Sequence, residues 1–175
     1  TLPLGTSAYE KRNIAIEVPK WDATKCIQCN QCSLVCSHGV IRPYLMDEEE
    51  VKGAPEGFEM VKAKGANLGE YTYSLQISNM DCTSCGSCAS VCPAKEKALV
   101  MIPISEKEYD QAHWEYGLTI TEKPEAMATN IKMSQFIKPL LEFSGACGGC
   151  GETPYIKLLT QLFGDKMYFA NATGC

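Results

Sequence analysis

The chemistry open to this sequence lies in two runs of cysteine. The first reads Cys26-Ile-Gln-Cys29-Asn-Gln-Cys32-Ser-Leu-Val-Cys36. The second reads Cys82-Thr-Ser-Cys85-Gly-Ser-Cys88-Ala-Ser-Val-Cys92, with Pro93 directly behind it. Three kinds of cysteine chemistry compete for such runs. A disulfide framework is disfavoured, because 11 cysteines is an odd number and falls below the ~8–10% that marks a stapled scaffold. Zinc sites use two CxxC pairs, usually separated by a longer stretch, whereas each run here crowds four thiols together. Spacings of two, two and three intervening residues are those of the bacterial-type [4Fe–4S] ligand run. The small residues Ser84, Gly86, Ser87 and Ala89 fit that use. They let a backbone wrap a compact inorganic core with its N–H groups aimed at sulfur.

Two such runs imply a two-cluster ferredoxin-like module. In modules of that kind the fourth cysteine of each run ligates the other run's cluster. Cys26, Cys29, Cys32 and Cys92 are therefore assigned to one cluster, and Cys82, Cys85, Cys88 and Cys36 to the second. His38, beside the first run, reads as a local hydrogen-bonding residue, since both ligand sets are already complete.

The elements that must position these loops are short. Ile14, Ile16 and Val18 alternate with Ala15 and Glu17 as a strand that Pro19 should end. His38 to Pro43 reads as a turn and a short apolar stretch halted by proline. Residues 46–70, with the acidic run Asp47–Glu50, read as a solvated loop inserted into a smaller module. Tyr71–Ser78 alternates cleanly, with Tyr71, Tyr73, Leu75 and Ile77 on one face, and delivers the chain into Cys82. Ala98–Ile102 is a further strand, ended by Pro103. Ser105-Glu-Lys-Glu108 is a capping-box pattern opening a helix to about Tyr116, with Gly117 as its stop. His113 and Trp114 lie on that helix as packing or surface residues. The expected class is α+β, a duplicated strand–cluster loop–helix–strand unit over residues 13–104. Residues 1–12 would be a linker from a preceding domain, and 105–130 a second linker containing the helix.

A further block begins near residue 131. Cys147-Gly-Gly-Cys150-Gly-Glu152 is embedded in glycine, which allows backbone to approach a bulky ligand closely. Thr153 and Pro154 read as N-cap and first helical residue. Tyr155, Ile156, Leu158, Leu159, Leu162 and Phe163 give a broad apolar face, and Gly164 the stop. Met167–Ala170 has the character of a buried parallel strand. The loop from Asn171 to Cys175 follows, where open α/β sheets bind ligands. Such a start of a second domain cannot bury both faces of a parallel strand by itself.

Composition excludes little but agrees. The 175 residues carry 21 acidic and 16 basic side chains, a net charge of −5, which argues against nucleic acid as a partner. No apolar run approaches the ~18 residues of a membrane span, and no secretory signal is visible at the start. Exposed clusters degrade in oxygen, so the expected setting is the reducing cytoplasm of an anaerobe.

Taken together, the paired runs and the tail SGACGGCGETPYIKLLTQLFGDKMYFANATGC resemble the pyruvate:ferredoxin (flavodoxin) oxidoreductases, as do GTSAYEKR and EVPKW near the start. The resemblance implies a fragment of a large enzyme that uses thiamine diphosphate and Mg2+. Residues 131–175 would open its thiamine-diphosphate domain. Cys147, Cys150 and Cys175 would hold a third [4Fe–4S] cluster whose fourth ligand lies outside this chain, and Glu152 and Cys175 would touch thiamine diphosphate. The implied activity is oxidative decarboxylation of pyruvate to acetyl-CoA. Electrons would pass to ferredoxin or flavodoxin, and the full-length protein would be a homodimer. The fragment alone is not expected to be catalytic. A ferredoxin-like subunit of another redox complex is the rival reading; it leaves the last 30 or so residues unexplained.

Overall fold

Pro19 and Pro43 do not stop their strands; they lie inside them. The computed structural model describes residue 3 and residues 5–107, 111–123 and 129–172. Its first elements are β1 (Glu17–Trp21), α1 (Gln31–Leu34), β2 (Ile41–Met46), α2 (Glu48–Gly53) and β3 (Val61–Lys62). There follow β4 (Thr72–Ile77), α3 (Ser87–Val91), β5 (Leu99–Pro103), α4 (Gln111–Gly117), α5 (Ile131–Ser134) and α6 (Thr153–Phe163).

β1 and β5 form an antiparallel pair, and a second sheet has the order β2-β4-β3. The register explains the prolines. Ile104 N donates to Ile16 O and Asp22 N to Ala98 O, so the hydrogen-bonded pairs of the first sheet fall on the even residues of β1. Pro19, opposite Met101, falls between them, where its missing N–H would face the open edge. Pro43, opposite Leu75, is in the same situation, because Ser78 N donates to Val40 O and β2 is an edge strand. Proline is tolerated at such positions. The alternation expected over Ile14–Val18 is broken: Val18 is buried, but Ile14 and Ile16 are exposed with Glu17, and Ala15 is buried instead.

β4 is the central strand, and both its faces are covered. Tyr73, Leu75 and Ile77 join Trp21, Val40, Ile41, Leu45 and Trp114 in the main core. On the other face Ser74 Oγ donates to Glu59 O at 2.7 Å, and Ser78 Oγ to Asp81 at 2.5 Å. Trp21 and Phe136 meet Tyr73 edge-on at 5.9 and 6.1 Å.

The stretch 46–70 is not simply a solvated loop. Asp47 caps α2, accepting from the amides of Glu49 and Glu50, while Glu50 reaches back to the Asp47 amide. The acidic run is a helix N-terminus, where carboxylates face unpaired N–H groups. Beyond it, Phe58, Ala63 and Leu68 are buried and β3 extends the sheet. Lys123 Nζ bridges Asp47 at 2.8 Å and Glu50 at 2.7 Å. Its hydrogen bond holds the Asp47 carboxyl below the usual range. Burial pushes Glu50 up, but Lys123 and the Thr121 amide outweigh it and leave a net lowering. Depressed carboxyls contribute stability above their unfolded values, about 4, and lose it as pH falls through the folded ones. Hydrogen exchange at the end of α2, corrected for intrinsic rates, should therefore quicken below that pH. Lys123→Met should weaken the dependence and leave the part that the cap amides supply.

The helix expected from residue 105 begins later. Ile104–Glu106 is a turn of 3-10 helix, and the described α4 spans Gln111–Gly117; Glu108 of the capping-box pattern lies outside the described residues. Near the end, Glu152 rather than Thr153 takes the N-cap position of α6. Met167–Ala170 forms no strand, and Tyr168 and Phe169 are exposed. α6 also packs by the unexpected side. Lys157, Thr160 and Gln161 are buried, while Tyr155, Leu159 and Phe163 are exposed. The inward side meets polar groups: Ser33 Oγ donates to Gln135, whose amide donates to Gln161, which donates to Ile137 O. Among the described residues no helix is long and apolar enough to cross a membrane.

Candidate metal centres

The two cysteine loops have the same backbone. Gln28 and Ser84, each two residues after the first cysteine of its run, have φ of 58° and 60°. Asn30 and Gly86, each directly after the second cysteine, have φ of 60° and 72°. The left-handed turns curl each chain around its sulfurs and bring N–H groups onto them. Gln28 N lies 3.3 Å from Cys26 Sγ, and Ser84 N 3.5 Å from Cys82 Sγ. Non-glycine residues hold this conformation at a cost of about 1 kcal/mol each, and side chains hold the first loop in place. Gln28 donates to Lys62 O and accepts from Lys64 N, while Asn30 donates to Lys132 O and accepts from Tyr73.

The runs exchange their fourth members. One cavity is lined by Cys26, Cys29, Cys32 and Cys92, with Trp21 and Tyr73 beside them. The other is lined by Cys36, Cys82, Cys85 and Cys88, with His38 and Met101. α1 and α3, which pack against each other, carry Cys32 and Cys88 and lead to Cys36 and Cys92. Among the described residues no three Cys, His, Asp or Glu side chains converge on a point one ion could occupy. Burial, then the neighbouring sulfurs, pushes the Cys32 thiol far up, and burial raises Cys82 and takes Cys88 to about 12. Sulfur at these positions needs a positive partner before it can carry charge.

His38 packs where a local hydrogen-bonding role requires. Its Nδ1 lies 3.1 Å from Ser144 O, and Phe143 N donates to His38 O at 2.8 Å. His113 Nε2 lies 2.9 Å from Glu56 O, and Trp114 is fully buried.

The third cysteine pair sits on the second cavity's rim. A Cβ on Gly149 (φ 73°) would lie 3.5 Å from Cys85 Cβ, and one on Gly148 3.3 Å from Thr83 Oγ1. Ser37 Oγ donates to Cys150 O at 2.9 Å. The Thr153 and Glu152 amides at the start of α6 lower the Cys150 thiol. Cys147, Cys150 and Glu152 line an open, mostly apolar groove of about 1200 Å3 with Ile156 and Leu159. Cys175 lies outside the described residues. Sequence reasoning overlooked Lys157, whose ammonium reaches the Cys36 carbonyl at 3.2 Å; it was hidden among the apolar residues of α6.

Residues 25–95 match a family model described as a 4Fe-4S dicluster domain, so the part of the chain that carries both cavities is an iron–sulfur module. Along its whole length the chain is 56% identical to a pyruvate-flavodoxin oxidoreductase of Enterobacter agglomerans, covering 15% of that protein. It is 53% identical to a pyruvate:ferredoxin oxidoreductase of Moorella thermoacetica over 99% of the chain and 15% of the relative. A pyruvate dehydrogenase [NADP(+)] of Cryptosporidium parvum is 52% identical over the whole chain and 9% of the relative. Over its whole length the chain is thus similar to pyruvate oxidoreductases, and it spans about 15% of the first two relatives' length.

Proposed function

We propose that the chain is the electron-transfer portion of a 2-oxoacid, specifically pyruvate, oxidoreductase. In this reading Cys26, Cys29, Cys32 and Cys92 hold one [4Fe–4S] cluster, and Cys36, Cys82, Cys85 and Cys88 hold the second. Bound there, the clusters supply one-electron carriers. The observation that carries the reading is the exchange of fourth cysteines between the two cavities. Two independent zinc knuckles would close each run on itself. The chain's own residues shape the loops, aim amides at sulfur, and fix the spacing of the two sites through α1 and α3. The segments β1–loop–α1–β2 and β4–loop–α3–β5 read as one duplicated unit, a view supported by the matched positive φ values.

Cys147, Cys150 and Cys175, with a fourth ligand from elsewhere in the polypeptide, would hold a third cluster beside thiamine diphosphate and its Mg2+, with Glu152 and Cys175 against the cofactor. The position of Gly149, where an added Cβ would lie 3.5 Å from Cys85 Cβ, supports a sequence of sites running from the Cys147 loop to the Cys82 loop and then to the Cys26 loop. Ferredoxin or flavodoxin would receive the electrons in the cytoplasm, and the whole polypeptide would be a homodimer. Residues 13–104 and 131–175 would belong to different domains, joined by 105–130. The test is metal and sulfide analysis of the anaerobically purified full-length polypeptide, with EPR after reduction. About twelve iron and matching sulfide are expected for three filled sites. Zinc without sulfide overturns the reading.

A further inference from the structure

We propose that Lys157 provides a fixed positive charge between the two cysteine cavities and favours the reduced state of the groups they hold, chiefly the one at Cys36. The inference rests on the reading that those groups are [4Fe–4S] clusters. Lys157 is 2% exposed and projects from the polar side of α6 onto the end of α1. Its Nζ donates to the carbonyls of Ser33 and Cys36. Ser33 follows Cys32, which lines the first cavity, and Cys36 lines the second, so the ammonium sits against the backbone link between them.

Carbonyls satisfy its N–H groups but do not neutralise its charge. Among the described residues no carboxylate pairs with it. Arg42, the nearby cation that acts on Lys157, is itself engaged by Glu142. A buried ammonium without a counter-charge is strongly disfavoured: burial takes the Lys157 ammonium down to about 8, and the sulfurs of Cys36 and Cys32 act against that lowering. Four thiolates around a [4Fe–4S] core leave a net negative assembly, and each added electron makes it more so. A cation held at short range in a medium of low polarity therefore stabilises the reduced form more than the oxidised one. Net charge around the site is one of the factors that set cluster potentials. The same lysine ties α6, which starts just after Cys150, to the end of the first cysteine run.

The alternative is that Lys157 merely caps the carbonyls of α1, and three variants of the full-length polypeptide separate the two. Lys157→Gln keeps a donor for the carbonyls without charge, Lys157→Arg keeps the charge, and Lys157→Met removes both. Iron and sulfide content is measured first, then each site's midpoint by EPR-monitored redox titration. In Lys157→Gln and Lys157→Met the Cys36 site's reduced-to-oxidised ratio at a fixed potential should fall about tenfold, which is about 59 mV for one electron. Lys157→Arg should stay near the wild type. Iron-replete Lys157→Gln with unmoved midpoints overturns the inference, as does Lys157→Arg shifting equally far. If the neutral variants fail to load iron, loading by Lys157→Arg alone supports a counter-charge, and failure of all three assigns the residue a purely structural role. A wild-type protein without iron and sulfide removes the functional reading and this inference together.

Discussion

Cys36→Ala should cost the protein iron from two sites, not one. Cys36 belongs to the first run by sequence, yet it lines the second cavity with Cys82, Cys85 and Cys88. Its loss opens that site directly. The first site suffers through α1, which carries Cys32 and ends just before Cys36, and through α3, which packs on α1 and leads to Cys92. Cys26, Cys32, Cys36 and Cys88 are all part of the main core, so ligand loss also loosens packing. Iron should fall by more than the four or so atoms of one cluster, with the EPR signals of both sites diminished. A variant that keeps the full signal of the Cys26 site and an unperturbed fold contradicts the shared architecture.

The largest effect expected away from the cysteines is at Trp114. This ring is 1% exposed, meets Phe143 edge-on at 6.5 Å, and carries the Arg42 guanidinium 5.0 Å from its centre. Truncation to alanine should destabilise the fold by about 3–5 kcal/mol. It removes dispersion contacts and leaves Arg42 without its aromatic platform. Trp114→Phe should cost much less, because the indole N–H finds no acceptor among the described residues and little is lost with it. Because a metal-bearing polypeptide does not unfold in one step, the measurement is hydrogen exchange of the β2 and β4 amides. Alanine should accelerate it at least a hundredfold, by about 1.4 kcal/mol per tenfold. Unchanged protection in Trp114→Ala would place the ring outside the cooperative core.

What could be read in advance follows the range of the forces involved. The cysteine loops were legible because cluster ligation is written in local spacing. The gathering of Cys36 with Cys82, and of Cys92 with Cys26, follows from the same rule. β4 was legible from its alternation, though not the burial of its Ser74 and Gln76 side, which depends on the segment folding over it. β2 was hidden because Pro43 signals a stop unless one knows that it falls at a non-hydrogen-bonded edge position. α2 was overlooked although Asp47 and Glu50 carry a capping box, since a charge run more often marks a solvated loop. α6 was found, but its orientation was inverted. Apolar content points a helix toward a core, whereas here the neighbour is a set of carbonyls and amides that Lys157 and Gln161 hydrogen-bond.

The stretch that looked like an ornament between the two runs has a practical bearing on engineering. Glu59 accepts from the Ala23 amide at 3.0 Å, Lys62 and Lys64 grip Gln28, and Lys64 Nζ reaches Cys26 O at 3.2 Å. The first cysteine loop is thus cast against a mould supplied from residues 59–64. Anyone transplanting residues 26–36 into another scaffold as a portable cassette would have to bring that mould along, or redesign Gln28 and Asn30 as glycines.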